Sequence, residues 1–205
     1  MIYEVRTYRL KPRAVPEVIK RFGEAYEGRK KLSPLAAFFY TEIGPLNEII
    51  HIWPYKDLDE RTKIRAEAAK LNGWPPKITE FMHEMRSEIF VPFPFTPEIK
   101  PGKFGPIYEW RSYSLVPGTV GRVIENWGKA IGERQKRSPI TIAMHTELGP
   151  LNRFVHVWPY KSLDERQAIR NKAAADKIWP PPGGDGTLFL QENKICLPAP
   201  FSPVQ

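Results

Sequence analysis

The chain is poor in the features that would send it out of a cell or into a membrane. It has one cysteine in 205 residues. No disulfide can form within it, and a lone thiol in a late strand reads as a small buried hydrophobe in a reducing compartment. No apolar run approaches the ~20 residues of a membrane span. The opening MIYEVRTYRL places Glu4, Arg6 and Arg9 where a secretory signal needs an apolar stretch, and it lacks the serine-rich, acid-poor look of an organelle presequence. The expectation is a cytoplasmic protein without a membrane span. Lys and Arg outnumber Asp and Glu by 31 to 23, but no basic block or RNA-binding signature appears. The excess therefore reads as solubility with a bias toward anionic ligands, not as nucleic-acid binding. With 41% apolar and 12% aromatic residues the chain has the material for a packed core, so disorder is not expected.

What the chain does have is itself, twice. An offset of 105 carries Tyr3 to Tyr108, Gly44 to Gly149, His51 to His156 and Trp74 to Trp179, with no gap from Ile2 to Pro76. Beyond a divergent stretch, one added residue pairs Ile89 with Ile195 and Phe95 with Phe201. The Pro- and Gly-rich FTPEIKPGKFGP joins the copies, which gives domains 1–100 and 101–205.

Each copy reads strand, helix, strand, strand, helix, strand. Alternation marks the first strand, and Val15, Val18, Ile19, Phe22 and Tyr26 form the buried stripe of the first helix. Gly-Pro-Leu-Asn turns at 44–47 and 149–152 close hairpins. Asp57 with Glu60, and Ser162 with Glu165, have capping-box spacing, and Trp-Pro-Pro ends the second helix. The order βαββαβ is the α+β ferredoxin-like unit, with two helices on one sheet face and the other face in need of cover. A second copy on the same chain supplies that cover, sheet to sheet.

Four motifs occur in both copies: Ile-Tyr-Glu-x-Arg-x-Tyr, Glu-[Ile/Leu]-Gly-Pro-Leu-Asn, His-x-Trp-Pro-Tyr and Leu-Asp-Glu-Arg. In these the chain resembles the NIPSNAP family of the dimeric α/β-barrel superfamily. The resemblance implies the barrel fold and supplies no agreed set of catalytic residues.

Strand parity suggests that Ile50, Ile52, Val155 and Val157 face the helices. His51, Trp53 and Tyr55, with His156, Trp158 and Tyr160, would then point into the barrel beside Glu4, Arg6, Tyr8, Glu109, Arg111 and Tyr113. Two readings of these residues stand: a network of salt bridges at the seam between sheets, or a pocket whose Arg6 or Arg111 holds an anion. His51 and His156 are the acid–base candidates. Hairpins centred on Pro45–Leu46 and Pro150–Leu151 set His145 opposite His156, a pair too small to count as a metal site. No metal or cofactor is called for. Because copy two has His145 in place of Tyr40 and a glycine-rich loop at 182–187, any pocket is expected to open toward copy two. The leading function is binding of a small anionic or aromatic molecule in the barrel interior. A cofactor-independent monooxygenase- or isomerase-like enzyme and a non-catalytic interaction module are the alternatives, and further homo-oligomerisation stays open.

Overall fold

A computed structural model describes residues 1–205. Copy one runs β1 (Ile2–Leu10), α1 (Val15–Arg29), β2 (Ala37–Ile43), β3 (Glu48–Tyr55), α2 (Leu58–Ala68) and β4 (Met82–Pro92). Copy two runs β5 (Ile107–Leu115), α3 (Val120–Gln135), β6 (Ile142–Leu148), β7 (Arg153–Tyr160), α4 (Leu163–Ala175) and β8 (Leu188–Pro198). The eight strands close into one antiparallel barrel in the order β1-β3-β2-β8-β5-β7-β6-β4. The halves do more than face each other: β2 pairs with β8 and β4 with β6, so no sheet edge is left unpaired.

The two faces of the sheet are the reverse of the parity expected from sequence. One core cluster mixes both copies, joining Tyr3, Val5, Ile50 and Ile52 to Tyr108, Trp110, Val155 and Val157, and this is the barrel lumen. Two further clusters each belong to one copy, where α1 or α3 packs on Tyr8, Trp53 and Tyr55 or on Tyr113, Trp158 and Tyr160. His51 and His156 lie on that helix side, against Phe22 and Trp127. The physical reason is room. An eight-stranded barrel is just wide enough to be filled by side chains, and Ile and Val fill it compactly. The imidazoles of His51 and His156 and the Glu4–Arg6 and Glu109–Arg111 pairs go to the layer under the helices, where helical residues meet them.

Helix α1 buries Val18, Phe22 and Tyr26, as its stripe requires, and also Arg29. Helix α2 is different, for its only buried residue is Ala68. It is capped as expected, with Asp57 accepting from Glu60 N at 2.9 Å and Ser162 accepting from Glu165 N at 3.1 Å in α4. Ion pairs then fasten α2 to the sheet. Glu4, fully buried on β1, receives Arg61 at 2.7 Å, Arg6 at 2.9 Å, Ser87 Oγ at 2.6 Å and Arg65 at 3.5 Å. Burial alone would raise this carboxyl, but the hydrogen bonds and the guanidinium charges outweigh it and hold its pKa at about 2. Glu109 repeats the pattern with Arg166, Arg111 and Asn193, again at about 2. The network thus lies between sheet and helix within each copy, not at the seam between the sheets.

The hairpins also shift. Tyr40 pairs with Ile49 and His145 with Phe154, which puts Phe38 opposite His51 and Ala143 opposite His156. The β2–β3 ladder ends at Tyr40, while on its other edge β2 pairs with β8, setting Tyr40 against Leu197 and Thr41 against Cys196, and the Thr41 hydroxyl accepts Glu48 N–H. His145 and His156 are therefore not cross-strand partners. His145 sits instead with its ring 6.1 Å from Phe93, and no group of three or more His, Cys, Asp or Glu is placed to hold a metal.

Candidate ligand crevices between sheet and helices

In copy one, β1 and β3 form the floor of a cavity of about 400 Å³ whose walls come from α1, α2 and the Trp74–Pro76 segment. His51 lies in that floor, 2% exposed. Its Nδ1 accepts a hydrogen bond from Trp53 Nε1 at 2.7 Å. That bond fixes the tautomer, because an acceptor nitrogen carries no proton; the proton is on Nε2. Nε2 is buried and has no partner. Burial, with Arg6 adding repulsion, holds the imidazole well below its ordinary pKa, so the ring is neutral. It is therefore a hydrogen-bond donor, not the base expected from sequence, since its one lone pair is already engaged.

The other polar groups lining the cavity are donors too. Arg6 gives Nε to Tyr8 Oη at 2.7 Å and Nη1 to Glu4, which leaves the Tyr8 hydroxyl proton free to donate. Arg29, 2% exposed, binds Ser33 O at 2.9 Å and Tyr55 Oη at 3.3 Å and lies 4.3 Å over the Trp53 ring. Neither hydrogen-bond partner is a carboxylate. Arg65 adds a third guanidinium to the lining, and no Asp or Glu is in it. The remaining walls are apolar: Phe22, Trp74, Met82 and Met85.

Copy two has the same skeleton and a different outcome. Trp158 donates to His156 Nδ1 at 2.7 Å, His156 Nε2 is again buried and unpartnered, and Arg134 lies 4.2 Å over Trp158. Yet the cavity is only about 100 Å³ and no charged side chain lines it. Trp127 stands where copy one has Phe22. Its indole approaches His156 to 4.7 Å and Trp179 to 4.6 Å, against 5.3 Å and 6.0 Å for Phe22 with His51 and Trp74. The glycine-rich loop helps close the space, for Asn126 donates to Gly183 O at 3.0 Å. The larger crevice is thus in copy one, opposite to the asymmetry expected from the loop and from His145.

Of the residues singled out in sequence, all but His145 come together in these two clusters, but under the helices and not in the lumen. Arg29 and Arg134 were missed. Both occupy the buried stripe of the first helix and are related by the repeat offset, and a charged residue kept on an apolar stripe in both copies was the available signal.

The NIPSNAP family model matches residues 3–97 and again 108–203. A NipSnap homolog of Dictyostelium discoideum is 30% identical over 209 residues, covering 96% of this chain and 87% of its own. Human NipSnap homolog 3A is 29% identical over 219 residues, covering 100% and 86%. Among solved structures, a candidate monooxygenase from Lactobacillus acidophilus overlays 97% of this chain and 93% of its own with a TM-score of 0.72 at 8% identity, a likeness of fold alone. No helix is long and apolar enough to cross a membrane. The motifs, the doubled match and the full-length relatives agree, and the chain belongs to the NIPSNAP family.

Proposed function

We propose that this chain binds a small organic anion with a flat apolar body in the copy-one crevice. One observation carries the reading: His51 lines a cavity with three arginines and no carboxylate, and its buried Nε2–H is a donor without a partner. A buried donor left unsatisfied costs about 1–3 kcal/mol, which an acceptor on a ligand would recover. Carboxylate, phenolate and enolate oxygens fit the donor set, and Phe22, Trp74 and the two methionines suit an aromatic body. With Nδ1 of His51 engaged by Trp53, the crevice offers no histidine base, so binding is put forward ahead of cofactor-independent oxygenase chemistry. The cytoplasm remains the proposed setting, which the lone buried thiol of Cys196 fits.

The test is calorimetric titration with 2-naphthoate and, as the uncharged control, its methyl ester. The acid should bind wild-type protein, and the ester at least about tenfold more weakly, as loss of a charge-assisted hydrogen bond implies. Arg29→Met and His51→Phe should each weaken the acid by a similar factor. Equal affinity for acid and ester, or binding indifferent to both substitutions, would overturn the reading.

A further inference from the structure

The lumen side of the barrel carries a separate polar cavity at its mouth, about 230 Å³ in volume. Two ion pairs span it, and each joins the two copies. Lys194 Nζ meets Glu48 Oε2 at 2.7 Å, and Arg153 meets Glu88. These side chains are only 4% to 18% exposed. The repeat relates the pairs to one another: Glu48 corresponds to Arg153, and Glu88 to Lys194. Local geometry confirms the correspondence. Gly44, at φ +111°, lies so close over Lys194 that a Cβ would come within 2.8 Å of the lysine Cβ, and Gly149, at φ +131°, lies over Glu88, where a Cβ would come within 3.2 Å of the glutamate Cγ. The two ion pairs are images of each other with every charge reversed.

That reversal decides who can pair with whom. In these two pairs copy one supplies both glutamates and copy two both cations, while Arg9 and Arg86 of copy one and Glu192 of copy two also line the mouth. A barrel built from two copies of copy one would set Glu48 against Glu88 on both sides; one built from copy two would set Arg153 against Lys194. Like charges brought together in so enclosed a space are strongly disfavoured. The lumen is matched in size as well. Val5 corresponds to Trp110 and Phe90 to Cys196, so each copy contributes one bulky and one small residue, in opposite strands of its sheet.

We propose that the barrel mouth is a recognition surface by which copy one selects copy two and rejects its own kind. Homotypic pairing would link chains copy one to copy one and copy two to copy two, an open-ended assembly. The reversed charges block it and leave closure of complementary halves. The proposal is independent of what the crevice binds.

Full-length chains test it. Glu48→Arg with Glu88→Lys makes all four pairing positions positive, and Arg153→Glu with Lys194→Glu makes all four negative. Each double variant should melt lower than wild type by roughly 10 °C or more. The quadruple variant, with both pairs inverted, should regain most of that loss, which distinguishes pairing from mere intolerance of substitution at these sites. Refolding the two double variants together should give a particle containing both chains, in which positive copy one meets negative copy two. Double variants that melt like wild type, a quadruple variant no better than the doubles, or a mixture without the two-chain particle would overturn the proposal.

Discussion

Mild acid should weaken this protein well before its carboxylates titrate, and the two buried histidines set the size of the effect. Burial, with the neighbouring Arg6 and Arg111 adding repulsion, holds His51 and His156 well below their ordinary value. The folded state keeps them neutral while histidines in the unfolded chain take up protons near pH ~6.5. A folded pKa below the unfolded one gives stability that is complete above about 6.5 and falls as the pH drops below it. The loss approaches about 1.4 kcal/mol per pH unit for each histidine. At pH of about 5.5 the pair should therefore cost about 3 kcal/mol relative to pH of about 7.5. Glu4 and Glu109, at about 2, do not titrate in that window. Urea unfolding followed by the fluorescence of the six tryptophans measures the change directly. Replacing either histidine with phenylalanine should halve the dependence, and replacing both should remove it. A folding free energy unchanged between these pH values, or the same slope in the double variant, would refute the buried neutral imidazoles.

At lower pH the carboxylates take over: stability from Glu4 and Glu109 is complete above about 4.5 and disappears as the pH falls through about 2, about 3 kcal/mol for each. Glu4→Gln should cost about 3–5 kcal/mol in urea unfolding at neutral pH, because Arg6, Arg61 and Arg65 lose the anion that gathers them; a loss under about 1 kcal/mol would show that α2 is held by something else. Phe22→Trp should reproduce in copy one the closure that Trp127 makes in copy two, lowering 2-naphthoate affinity at least about tenfold with little change in melting temperature. Unchanged affinity would show that Phe22 does not border the bound molecule.

What sequence revealed and what it hid divide along physical lines. The repeat, the capping boxes and the Gly-Pro-Leu-Asn turns are local patterns, and a chain that states them twice fixes two βαββαβ units and their union. Cys196 is also as read: buried, with burial pushing its thiol to about 12. Parity was legible, but the assignment of faces was not. A β-branched run such as Ile50 and Ile52 suits either a helix-covered face or a narrow lumen, and only closure of the barrel chooses. The hairpin register failed because the β2–β3 ladder ends at Tyr40–Ile49, two residues off the symmetric pairing, and the Thr41 hydroxyl takes the Glu48 N–H beyond it. Arg29 escaped notice because it sits on a helix among apolar neighbours, and its stacking on Trp53 depends on tertiary packing.

The anion site proposed for the copy-one crevice rests on His51 as a donor. A crystal structure of the protein soaked with 2-naphthoate tests it most directly. The carboxylate should lie within hydrogen-bonding distance of His51 Nε2 and of at least one of Arg6, Arg29 and Arg65, with the naphthalene against Phe22 and Trp74. A carboxylate found in the barrel mouth, in the copy-two crevice, or in copy one turned away from His51 would contradict it.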